Sequence, residues 1–306
     1  MTRYLVTRLA LSLVTFWVIV SVVFFLVRAA PGGPFDGERR LPPEVEANLL
    51  AAYHLDQPLH RQYLDYLGRL LEGDLGPSFR QKDFSVGELI AAGLPVSLAV
   101  GITALLISVA LGVALGTRAG LSPGSAVDVL VMSIANVGLA LPSIVLAPLA
   151  VLGFAVWLDW LPAGGTGSLA HFVLPPLTLA LPFVAAIARL TRGSVAEVML
   201  EPHVMTARAK GLSRSRIVIR HVLPNALLPV VSFLGPAAAA LLTGSVVIEQ
   251  VFELPGIGRY FVQAALNRDY TLVMGVVVVY AAFILSFNLL VDLCYARLDP
   301  RIRLTG

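Results

Sequence analysis

Few residues in this chain could do covalent chemistry, and their spacing argues against it. The five histidines, His54, His60, His171, His203 and His221, are scattered without metal-ligand spacing. One cysteine, Cys294, excludes an internal disulfide. Neither of the two lysines, Lys82 and Lys210, is followed by Ser or Thr, so the phosphate-binding loop GxxxxGK[ST] is absent. Any ATP chemistry therefore belongs to another chain. HExxH and GxSxG are missing too, which leaves a membrane enzyme without a visible catalytic set. The chemistry that remains is binding chemistry. It is concentrated between Arg189 and His221, which carry 7 of the 22 basic residues.

That segment has punctuation as well as charge. Ser194 and Glu197 have capping-box spacing and predict a helix start. Pro202 suits the first turn of a new short helix, over about His203 to Lys210. Gly211 suits a left-handed stop, and Ser213 can cap the helix that follows. A basic loop lying on lipid headgroups would account for the charge. It would not account for a glycine stop between two capped helices.

The elements that hold this segment are apolar. The 306 residues are 57% hydrophobic and 13% charged, about half the charge of a soluble protein. A soluble globular enzyme is close to excluded, and a net charge of +3 is too small to suggest nucleic acid. A bilayer-crossing helix needs about 20 apolar residues. Gaps between charges give six spans: Leu9–Val27, Leu89–Thr117, Val129–Leu158, about Ala170–Ala188, Val222–Ile248 and Tyr270–Val291. The first is longer than the apolar run of a signal peptide and is expected to remain as a helix. With the N-terminus inside, the inner parts hold 13 basic against 5 acidic residues and the outer parts 9 against 14. Both termini are therefore expected in the cytoplasm.

Small residues recur every fourth position at Ala104, Ser108, Gly112, Gly116 and Gly120, and again at Ser232, Pro236, Ala240 and Gly244. Such stripes let helices approach closely in lipid. Prolines such as Pro142, Pro148 and Pro182 predict kinked or broken spans. The midplanes of the spans lack Asp, Glu, Lys and Arg, which argues against a proton- or ion-driven carrier. A carrier that binds sodium through backbone carbonyls stays open. Asn136, Ser143 and Asn288 are candidates for a translocation path, although interhelical hydrogen bonds explain them equally well.

Thr206-Ala207-Arg208-Ala209-Lys210-Gly211-Leu212, followed after nine residues by His221-Val222-Leu223-Pro224, resembles the EAA loop of binding-protein-dependent ABC importer permeases. Met205-Thr206-Ala207 stands where Glu-Ala-Ala would be, and His221 replaces Ile. The resemblance extends over nearly the whole chain. It includes Ala30-Pro31-Gly32-Gly33-Pro34, Gly37-Glu38-Arg39, Gly73-Asp74-Leu75-Gly76-Pro77-Ser78-Phe79, Leu254-Pro255-Gly256-Ile257-Gly258, Arg268-Asp269-Tyr270 and Asp299-Pro300-Arg301-Ile302-Arg303. It is closer to the oligopeptide branch than to the dipeptide, nickel or glutathione branches.

The resemblance implies an all-α polytopic membrane protein of the type I ABC importer permease fold, in a bacterial inner membrane. Its parts would be a first transmembrane helix over 1–28, an outer loop region over 29–93, a permease core over 94–295 and a cytoplasmic tail over 296–306. It implies a second homologous permease, two ATPase subunits that bind ATP and Mg, and a periplasmic or lipid-anchored peptide-binding protein. This chain itself would carry no cofactor. A coupling helix at about 203–211 would meet an ATPase through His203, Val204, Thr206, Ala207, Arg208, Ala209, Lys210, Gly211 and Leu212. The outer loop from Arg28 to Glu88 has two readings, docking of the binding protein or packing on the permease partner.

Overall fold

The computed structural model describes residues 2–298 apart from 31, 35–41, 43, 45–47, 49, 52 and 82, and for 2–5, 244 and 294–298 it describes the backbone alone. The Gly37-Glu38-Arg39 and Asp299 to Arg303 motifs lie outside the described residues, as does most of the 296–306 tail. The chain is helical. Among the described residues the only β-pairing is one antiparallel bridge between Pro77 and Ser85.

Five helices are long and apolar enough to cross a membrane, and a bent pair makes a sixth candidate span. The first is α1 (Thr2–Ala29). It is followed on the polar side by α2 (Leu59–Leu71). Next come α3 (Val86–Gly120) and a bent pair, α4 (Ala126–Ala140) and α5 (Ser143–Ala150), the latter prolonged by a π-helical stretch over Val151–Trp157. The third expected span is thus two limbs meeting at 105° rather than one straight helix. The break falls at Leu141, which is extended (ψ 117°) because the ring of Pro142 crowds the helical conformation of the preceding residue.

The fourth span also departs from expectation. α6 runs over Leu174–Val198, past Arg189, and Ser194 lies inside it. No helix begins at Ser194. Nothing between Ala188 and Val198 breaks the helix, and Val195 and Val198 are buried on its continuing apolar face. The remaining elements are α7 (Pro202–Ala209), α8 (Arg214–Ile217), α9 (Leu223–Ala226), α10 (Leu228–Val251), α11 (Ile257–Leu266) and α12 (Tyr270–Leu298).

The centre of the bundle is the α3–α6 pair, which share the most extensive contact between helices. Ala104, Ser108, Gly112, Gly116 and Gly120 are all buried there. A Cβ on Gly112 would lie 2.7 Å from the Ile187 side chain, one on Gly120 2.7 Å from the Arg192 carbonyl, and one on Gly116 would strike the Ala188 carbonyl. The second expected stripe does not form a seam. Pro236 and Ala240 are exposed, and α10 buries Ala237, Ala238, Ala239, Leu241 and Leu242 instead. A run of small residues leaves the buried face to be set by the neighbours, here α3, α6 and α12.

Two ion pairs tie the bundle at one end. Arg8 of α1 lies 3.2 Å from Asp292 of α12. Arg192 of α6 grips Asp128 of α4 with both ends of its guanidinium, at 3.0 and 2.7 Å. At the other end, Asp269 is buried and receives the Ser78 hydroxyl (2.5 Å) and the Phe79 amide (3.2 Å). This joins the Gly73–Phe79 segment to the start of α12.

Candidate functional site

The short helix α7 starts at Pro202, whose missing amide costs nothing in a first turn, with Glu201 as its N-cap residue. It ends in a Schellman arrangement. The Gly211 amide donates to the Arg208 carbonyl (2.9 Å) and the Leu212 amide to the Ala207 carbonyl (3.3 Å). This geometry needs a left-handed residue, and Gly211 has φ +74°. Ser213 occupies the N-cap position of α8, yet its side chain makes no capping bond.

α7 is pinned on one face. Val204 (0% exposed) and Ala207 (4%) pack with Val195 and Val198 of α6, Ile217 of α8, Val222 and Ala226, and half-buried Leu212 closes the cluster. His203 adds a polar tie, its Nε2 3.0 Å from the His221 carbonyl and its Nδ1 3.0 Å from Glu201 Oε2. His221 thus contributes through its backbone, so the side chain at that position is not the tie. Past α8 the helix widens to a π-turn over Val218–Val222 just before Pro224, which has no amide to give. The chain then runs on through α9 into α10.

The opposite face of α7 is open. Met205 is 56% exposed, and Thr206, Arg208, Ala209, Lys210 and Gly211 are exposed beside it. An adjoining depression of about 360 Å³ is lined by Arg208, Arg214, Leu121 and Met199, among others. Of the residues expected at the contact, Val204 and Ala207 are buried against the spans, where they anchor the helix. Met205 is the exposed apolar side chain that sequence reasoning passed over. A helix phase of 100° per residue puts it opposite the Val204–Ala207 edge. That phase could not be assigned before the inward face was known. The arrangement presents a small surface, positive at one end, packed on α6, α8 and the stretch that leads into α10.

The other candidates do not come together. Asn136 of α4 accepts a hydrogen bond from Arg189 of α6, which gives this polar residue an interhelical partner. Ser143 is the first residue of α5, half-buried at the break. Asn288 is exposed on α12 next to Gly235 of α10. On the polar side opposite α7, α2 lays Tyr63, Tyr66, Leu67 and Leu70 on α1 around Phe24. A cavity of about 220 Å³ there is lined by Arg28, Gln62, Asp65, Tyr66, Arg69 and Asp74, among others. Burial pushes the Tyr66 phenol up to about 12.

Comparison with known proteins gives concordant matches. The family model described as binding-protein-dependent transport system inner membrane component matches residues 108–304. The oligopeptide transport system permease protein OppB of Haemophilus influenzae is 48% identical over 305 residues, covering 99% of this chain and 100% of the relative. OppB of Escherichia coli strain K12 is 47% identical, with the same coverage. The dipeptide transport system permease protein DppB of Bacillus subtilis is 43% identical, covering 99% of each chain. Among solved structures, a chain from the crystal structure of an amino acid ABC transporter with histidines superposes with a TM-score of 0.56. It is 20% identical, and the match covers 69% of this chain and 94% of that one.

Proposed function

Because the chain belongs to the family of binding-protein-dependent transport system inner membrane components, we propose that it is the membrane-spanning half of an ATP-driven oligopeptide importer. It is a transport subunit, and ATP hydrolysis lies in partner subunits. Two ATPases bind ATP and Mg on the cytoplasmic side, a second homologous permease completes the path, and a peptide-binding protein delivers substrate from outside. Both termini face the cytoplasm, as the charge balance of the loops favours.

The observation that carries the coupling role is the two-sided burial of α7. Val204 and Ala207 fix it to the spans while Met205, Thr206, Arg208 and Lys210 stay available. An ATPase groove that closes on the exposed face moves a rigid body whose other face is seated on α6, α8 and the Val222–Ala226 stretch that leads into α10. Gly211 holds the stop that keeps α7 short. The identity to OppB relatives carries the substrate class. The similarity to a dipeptide permease keeps shorter peptides as a second reading.

One reconstitution tests both. The tagged chain, purified with its partners into proteoliposomes, is expected to take up alanine oligomers only with ATP and binding protein present, and to be indifferent to ionophores. A panel of two to eight residues separates dipeptides from oligopeptides. Gly211→Asp is expected to assemble, since Asp tolerates left-handed backbone better than most side chains, and to hydrolyse ATP without uptake. Shortening the outer loop within residues 44–71 is expected to blunt stimulation of the ATPase by the binding protein. Uptake that persists without ATP and collapses with an ionophore would mean an ion-coupled carrier. Wild-type coupling in Gly211→Asp would remove α7 from the mechanism, and an unchanged response after shortening would remove the outer loop from docking.

A further inference from the structure

At the end of α10 remote from α7, Glu249 is fully buried, 0% exposed. Its Oε2 accepts the amides of Gly258 (2.8 Å) and Arg259 (3.3 Å) in the first turn of α11. The Ser97 hydroxyl of α3 accepts the Ile257 amide at 2.9 Å. A helix start leaves four amides without intrahelical partners. Here three of them are held by side chains from other spans, because the N-cap residue Gly256 has no side chain to offer. The room for this is made by glycine. A Cβ on Gly256 would strike the Glu249 carboxylate, and one on Gly258 would lie 2.6 Å from Val246 Cα.

Packing alone does not call for a carboxylate at this position. Burying one costs several kcal/mol even after relaxation, and only part of that is offset by the dipole of a helix start. Among the described residues the other oxygen, Oε1, has no hydrogen-bond partner. A buried apolar side chain would avoid these costs but could not hold α11. The chain from α8 through the π-turn and α9 into α10 is nearly continuous helix, and α10 itself is about 36 Å long at 1.5 Å per residue.

We propose that Glu249 is a positioning residue that latches α11 to α10, so that movement entering α10 beside α7 turns α11 at the opposite end. This rests on the coupling reading of α7. It assigns α11 and the Leu254–Gly258 turn to the part of the molecule that opens and closes on the side away from the ATPases.

The test uses spin labels on the whole reconstituted complex, at Gln250→Cys and Leu266→Cys, both exposed sites, with Cys294→Ser removing the native thiol. The latch predicts one narrow 250–266 distance, the same in nucleotide-free and vanadate-trapped states. In Glu249→Ala it is expected to broaden, and uptake per ATP to fall roughly tenfold, the size of an ordinary coupling energy. Glu249→Gln keeps an oxygen for the amides and is expected to retain both the narrow distance and most of the coupling. A 250–266 distance that changes between the two states of the wild-type complex would overturn the proposal, whatever the fate of the alanine variant. So would Glu249→Ala with wild-type distance and coupling. If α7 has no coupling role, that shows separately, as unchanged coupling in Gly211→Asp.

Discussion

Neighbouring residues in α7 have opposite tasks. Val204 is buried in an apolar cluster and Met205 beside it is open. Val204→Asp would bury an unpaired carboxylate and is expected to cost more than about 3 kcal/mol, seen as loss of the protein from the membrane fraction. Met205→Asp meets solvent in the isolated chain and is expected to leave expression intact while weakening ATPase attachment. If the two variants behave alike in a comparison of membrane yield and ATPase retention, the two-faced description of α7 fails. The glycine stop was legible from its type and position, since few residues other than Gly fit a left-handed helix end. The division between anchor and surface was not. Val204, Ala207 and Leu212 are apolar or small, and such residues suit an interface and a core equally well. Glu249 was hidden for a similar reason. It ends an apolar run, and a charge there reads as the edge of a span until the buried amides of α11 are seen against it.

Elements were legible in proportion to how hard their sequence pushes toward one answer. The Ala104–Gly120 stripe has large side chains around it, so its small face could only be a contact, and it is. The stripe from Ser232 to Gly244 lies in a run where Gly235, Ala237, Ala238 and Ala239 are small as well, so periodicity could not choose a face. Charge gaps located the spans but misplaced the end of α6. A helix does not stop because an arginine appears, and Arg189 finds Asn136 while Arg192 finds Asp128. The break at Pro142 was visible in kind but not in angle, because limb packing sets the 105°. Gly116→Leu is expected to abolish the α3–α6 seam, since even a Cβ there strikes the Ala188 carbonyl. Gly193→Leu, where a Cβ would meet nothing within 4 Å, is expected to be tolerated. Equal thermal stability of the two variants in detergent would contradict the seam.

At the scale of the whole molecule, the charges sort into a functional arrangement. Arg8–Asp292 and Arg192–Asp128 bind the spans together where the inner loops are expected, near the ends that α7 crosses. Asp269 and Glu249 organise the opposite end with buried hydrogen bonds to backbone amides. If the exposed face of α7 seats an ATPase, a partner reaches Met205 and does not reach Val204. A photo-crosslinking amino acid placed at Met205, and in a second strain at Val204, tests it in intact cells. Position 205 is expected to capture a subunit that can be labelled with azido-ATP, and position 204 to give only internal products. An ATP-binding adduct from 204, or none from 205 in cells whose importer is active, would contradict it.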